Sequence, residues 1–135
     1  MDSGTRNARL ARKITRRRKM LDDNAKKLVA ALRSGEYEQG TGWLCRNGKH
    51  CCLGVASELY AKEHPDFTVV DKDGLKSFEG NTATCPRQVR DWLGLYSDFG
   101  TTKDGNHGLV TMNDGGNSFA QIADWIESEP EGLFV

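Results

Sequence analysis

Residues 40–60, "GTGWLCRNGKHCCLGVASELY", decide how this chain is read. Asn47-Gly48 is a strong signal for a two-residue hairpin turn, because both positions tolerate the positive φ that such turns need. The turn predicts a short strand over Trp43–Arg46 and its return over Lys49–Cys51. Directly after it, Cys52, Leu53, Ala56, Leu59 and Tyr60 fall on one helical stripe. That predicts a helix from Cys52 to Glu63, ended by Pro65. A hairpin feeding a helix within so few residues points to an α+β domain.

The same pattern extends in both directions. Leu21, Ala25, Leu28 and Leu32 have helical spacing, with Asp22 and Asp23 at the start and Arg33, Ser34 and Gly35 at the stop. The rhythm continues backwards through Ile14 and Leu10, so a helix over 21–34 is expected to extend towards the N-terminus when its charges are screened. "DFTVVDKDGLKSFEG" predicts a second hairpin, Phe67–Val70 with Leu75–Phe78, turning at Asp73-Gly74. "TCPRQVRDWLG" predicts a compact helix capped by Thr84 or Cys85, with Pro86 in its first turn and Gly94 as stop. Leu109–Met112 reads as a strand and "NDGG" as a turn. Ser118 with Gln121 reads as a capping box opening a last helix, whose apolar face is Phe119, Ile122, Ala123 and Ile126. The expected architecture is therefore about four helices and a few short antiparallel strands in a single α+β domain over residues 21–135, preceded by a basic, arginine-rich arm over residues 1–20 that is either disordered or a helical extension.

At 135 residues with 37% hydrophobic content, the chain suits one domain with one core. No run of apolar residues is long enough to span a membrane. The arginine-rich N-terminus has no apolar stretch behind it, so it does not read as a secretory signal. A reducing cytosol is the expected compartment, where Cys45, Cys51, Cys52 and Cys85 serve as thiols or ligands, not disulfides.

The formal net charge of zero hides a separation of sign. Residues 1–20 carry eight basic groups (Arg6, Arg9, Arg12, Lys13, Arg16, Arg17, Arg18 and Lys19) against Asp2, a net +7. Residues 21–135 carry 11 basic and 18 acidic groups, a net −7. In a helix capped by Ser3 or Thr5, Arg9, Arg12, Arg16 and Lys19 share one face. Arginine-rich segments bind nucleic acid by neutralising phosphates, and often fold as they do so. The eight basic residues are the predicted nucleic-acid contacts, to RNA or DNA or to a host ribonucleoprotein. The plainer alternatives are an arm docked on its own acidic body, or a solvated helical extension.

The chemistry-bearing residues suggest packing before catalysis. A zinc site needs four ligands in paired short spacings. Cys45, His50, Cys51 and Cys85 are the zinc candidates, with Cys52, His64 and His107 as further donors, and their spacing matches no standard pattern. Cys51 at a helix N-terminus beside His50 offers a reactive-thiol reading, but no oxyanion-hole motif accompanies it. "DKDG" starts like a calcium loop but lacks the later ligands, so a hairpin turn explains it better. Trp43, Trp92 and Trp125 are candidates for a binding platform or, more simply, for core. "SFAQIADWIE" has the look of a DNA-reading helix, but the expected strand and glycine turn before it argue against a helix-turn-helix. A non-enzymatic reading with no catalytic residue, cofactor or metal follows.

Four stretches carry a resemblance over most of residues 28–128: "ALRSGEYEQGTG" (31–42), "CCLGVASELY" (51–60), "CPRQVRDWLGL" (85–95) and "MNDGGNSFAQIADWIES" (112–128). Together they resemble a family of small, uncharacterised proteins of tailed bacteriophages and prophages. That resemblance implies expression in the cytoplasm of an infected bacterium and no assigned activity. It also marks two departures: relatives tend to carry an apolar or aromatic residue in place of His50, and Leu-Pro in place of Cys85-Pro86. The basic arm is likewise untypical of them. In style, residues 1–19 are similar to the arginine-rich RNA-binding arms of lambdoid phage antitermination proteins. Two roles follow as expectations: a phage accessory protein whose arm binds nucleic acid, or a module whose acidic body binds and inhibits a host or anti-phage protein.

Overall fold

Asn47 and Gly48 both adopt positive φ, 52° and 80°, and close the expected hairpin. Its strands are β2 (Cys45–Arg46) and β3 (Lys49–His50), shorter than the apolar run suggested. The second hairpin, β4 (Val69–Lys72) and β5 (Leu75–Phe78), turns at Asp73 and Gly74, again with positive φ at both. The Asp71 carboxylate accepts a hydrogen bond from the Gly74 N–H at 3.0 Å, so the "DKDG" carboxylate serves the turn itself. The two turns interlock, with the Asn47 N–H donating to the Gly74 carbonyl at 2.6 Å. Strands β2 and β5 pair through Arg46 and Leu75, which joins both hairpins into one sheet.

A further strand, β1 (Glu38–Gln39), lies at the opposite edge and runs parallel to β3. The sheet is thus five-stranded and mixed, in the order β1-β3-β2-β5-β4. The sequence leads us to expect only antiparallel pairs and no strand at residues 38–39. Two residues carry no alternation to read, and β1 is held largely by side-chain bonds from far along the chain.

Among the described residues, five helices accompany the sheet: α1 (Asp23–Arg33), α2 (Cys52–Glu63), α3 (Arg87–Leu93), α4 (Leu109–Asp114) and α5 (Phe119–Glu127). The computed structural model describes residues 21–135. The basic arm expected over residues 1–20, with its predicted contacts, lies outside the described residues. Helix α1 does not continue back through Leu21 and Asp22. Asp22 is extended (ψ 147°) and caps the helix, its side chain accepting from the Asn24 N–H at 2.8 Å. Helix α2 spans the predicted residues, and Cys52–Ser57 are buried all round, which makes it the central helix. Helix α3 is capped by Pro86, with no side-chain cap, in place of the expected Thr84 or Cys85. The Ser118–Gln121 capping box is present in full.

The largest departure is α4, expected as a strand. Leu109 and Asn113, one helical turn apart, are both buried. Helical geometry brings the Asn113 amide onto β1, and this tertiary demand overrides the strand preference of Val110 and Thr111. Helices α1 and α5 then close against each other, clasped by Arg33, which bonds both Asp124 (2.6 Å) and Glu127 (2.9 Å). Among the described residues, no helix is long and apolar enough to cross a membrane.

Candidate functional site

The two polar motifs of the chain meet in one network around the buried Asn113. Gln39 of β1 donates from Nε2 to the Asn113 side chain (3.0 Å) and to the Asn117 carbonyl (2.8 Å). Its Oε1 accepts from the Phe119 N–H at 3.2 Å. Asn113 is 1% exposed and donates to the Gly40 carbonyl at 2.8 Å. The Asp114 carboxylate accepts from the Gly42 N–H at 3.1 Å. Thus "QGTG" and "MNDGGNSF" latch each other. The groups are amides, backbone and the Asp114 carboxylate, bonded to one another. Their role is to fix the edge of the sheet.

The paired cysteines also resolve into packing. Cys51 caps α2, its sulfur accepting from the Gly54 N–H at 3.4 Å. Burial pushes its thiol up to about 11, against the opposite pull of backbone N–H groups of Gly54 and Leu53. The helix N-terminus therefore does not activate it. Cys52 is fully buried, pointing its thiol at the Leu109 carbonyl 3.6 Å away. Cys85 is buried too, and burial raises its thiol strongly.

Of the zinc candidates, the structure brings together Cys45 and His50, directly opposite each other on β2 and β3. Glu58 of α2 joins them, and the three donor atoms lie within 4.8 Å of one another. Cys51 and Cys85 are outside this group. His50 is only 7% exposed. Its Nε2 lies 2.8 Å from Glu58 Oε2, while its Nδ1 is buried with no partner among the described residues. Lys76 of β5 donates to the same Oε2 at 2.7 Å, and the Tyr37 ring stands edge-on to the imidazole. Burial raises the Cys45 thiol, partly countered by the nearby Lys76 cation. For Glu58, burial pushes the carboxyl up, but the hydrogen bonds from His50 and Lys76 outweigh it and hold it below its ordinary range.

This lowering has a signed consequence. A depressed carboxyl contributes stability that is fully present above the unfolded pKa of about 4.3 and is lost as pH falls through the lower native value. Glu58→Gln removes that contribution. In thermal unfolding followed from neutral pH to about pH 3, the variant should lose less Tm than the parent.

Of the three tryptophans, Trp92 and Trp125 pack against the core, and Trp43 is 36% exposed. Trp43 lines an open cleft of about 460 Å³ with Gln39, Thr41, Arg46, Asn47 and Lys49. The charged residues lining it are all cationic, and the Arg46 guanidinium sits 5.8 Å from the Trp43 ring centroid.

Residues 20–130 match the profile of a family described as a domain of unknown function, DUF8296. The chain belongs to the DUF8296 family. No curated protein and no solved structure matches it. The matched span contains the Gln39–Asn113 latch, the Cys51–Gly54 cap and the Trp43 cleft, and it begins where the arginine run ends.

Within the DUF8296 domain, helix α4, the Gly115-Gly116 turn and α5 do follow in succession, so the expected strand is no ground for excluding a helix-turn-helix. Electrostatics supply one. The exposed side of α5 presents Asp124 and Glu127, which share the single Arg33 cation, so this face keeps a net negative charge that disfavours a phosphate backbone. Sequence reading missed Glu58, although the hairpin register itself places Cys45 opposite His50.

Proposed function

We propose that this chain is a non-enzymatic nucleic-acid-binding protein, phage-encoded and acting inside an infected bacterium, in which the arginine-rich segment Arg6–Lys19 neutralises phosphates. The observation that carries this reading is the separation of charge, +7 in residues 1–20 against −7 in the remainder. A segment with eight basic groups and one acid is an electrostatic footprint for a polyanion. The phage setting rests on the four motif stretches described above. The Trp43 cleft supports the reading from the domain side. On an otherwise acidic body it gathers an exposed indole with Arg46 and Lys49, the combination on which bases stack and phosphates are neutralised.

The test is binding across a salt series, comparing the full chain with one that starts at Lys19. The full chain should bind RNA or single-stranded DNA with a log–log salt slope corresponding to about five to seven phosphates. The shortened chain should lose that slope and most of the affinity. Equal binding by both would remove the arm from the mechanism. No binding by either at physiological salt would turn attention to the second role, capture of a basic host protein by the acidic body.

A further inference from the structure

We propose that Cys45, His50 and Glu58 form a binding site for a divalent transition-metal cation of the zinc class. The three donor atoms lie within 4.8 Å of one another. Ligand atoms round a tetrahedral zinc stand about 3.3–3.8 Å apart, so rotamer adjustment alone brings the set to bonding distance. Each ligand is carried by regular structure: Cys45 and His50 by the β2–β3 pair, and Glu58 by the central helix α2. Pre-positioned donors of this kind bind without reorganising the backbone.

His50 supplies the second, independent observation. The residue is 7% exposed, and among the described residues its Nδ1 has no partner. Buried polar atoms are nearly always satisfied, yet the imidazole has one nitrogen on Glu58 and the other with unused bonding capacity. Glu58 has spare capacity as well. The bonds from His50 and Lys76 both go to Oε2, and Oε1 accepts none among the described residues.

The donor set selects the metal. A thiolate and an imidazole favour zinc or cobalt over magnesium and calcium, which prefer all-oxygen shells. Binding is not redox: the Cys45 S–H bond breaks, a sulfur–metal bond forms, and the proton leaves to buffer. A thiolate and a carboxylate together neutralise a dication, and Lys76, on Glu58 Oε2, adds one positive charge at the edge of the site. Three protein ligands leave a fourth position for a solvent oxygen.

Cobalt(II) is the direct probe. It is titrated into the full-length chain, reduced and stripped of metal by chelator. The expected result is a thiolate-to-cobalt charge-transfer band with the intense d–d bands of a tetrahedral site, saturating at one cobalt per chain and bleached by zinc. Cys45→Ser should abolish the charge-transfer band, and Cys85→Ser should retain it. Glu58→Gln keeps a hydrogen-bonding side chain of the same size. It should retain the thiolate band and weaken cobalt binding by about tenfold or more. It serves as the second variant should Cys45→Ser fail to fold. Absence of a thiolate band in the parent chain, its survival in folded Cys45→Ser, or unchanged affinity in Glu58→Gln would each overturn the proposal.

Discussion

Gly54→Ala is expected to destabilise the domain by about 4 kcal/mol, at the upper end of what overpacking does. The sign is the informative part. In an exposed helix the same change stabilises by about 1 kcal/mol, because alanine is the better helix former. Here a Cβ on Gly54 would stand 1.7 Å from the Leu44 carbonyl oxygen and 2.6 Å from its carbon. Both are backbone atoms, and neither can rotate away. That carbonyl also accepts the Cys51 N–H at 3.2 Å, the bond that ties the start of α2 to the chain entering β2. Relieving the clash means moving the central helix off the sheet and losing that bond. Urea unfolding should show a lower midpoint at an unchanged slope, reporting lost stability with no change in the surface exposed. A midpoint equal to the parent's would mean that α2 and Leu44 do not approach this closely.

Asn113→Ala is the second large effect, about 3 kcal/mol, or a fall of about 12 °C in Tm. Removing the amide strips a partner from the Gly40 carbonyl and one of two acceptors from Gln39 Nε2, in a place where Asn113 itself is 1% exposed. Groups orphaned away from water carry their full desolvation penalty. Gln39→Ala should give a similar loss, because it unties the Asn117 carbonyl and the Phe119 N–H from the same network. Combining the two should cost clearly less than the sum, since each already breaks the shared bond. Strict additivity, measured by calorimetry on the four proteins of the cycle, would show that the two side chains do not form one unit.

Local signals in the sequence were legible wherever one residue type answers one backbone need. Asn47-Gly48 and Asp73-Gly74 announced their turns, Ser118 and Gln121 their capping box, and the stripe from Cys52 to Tyr60 its helix. Elements decided by distant partners were not. Strand β1 has two residues and depends on amides more than seventy positions away. Helix α4 is β-branched at Val110 and Thr111 but is recruited by Asn113. The candidate metal ligands fall between these cases. Cys45 and His50 are symmetric about a turn whose type was readable, so their pairing follows from arithmetic on the hairpin. Glu58 reaches them only because α2 folds back over the sheet, which no local pattern states. The Cys51 thiol shows the same limit in electrostatics: its helix-terminal position argues for a low pKa, and its burial, invisible locally, decides the opposite.

The latch also bears on the order in which the molecule assembles. Synthesis proceeds from the N-terminus, yet β1 obtains its side-chain bonds from residues 113–119, and α1 its neighbour from α5. On a ribosome, the two central hairpins and α2 can form from contacts close in the chain, but the sheet edge at β1 must wait until α5 has emerged. Until then the Gln39 amide and the Gly40 carbonyl lack their partners on residues 113–119.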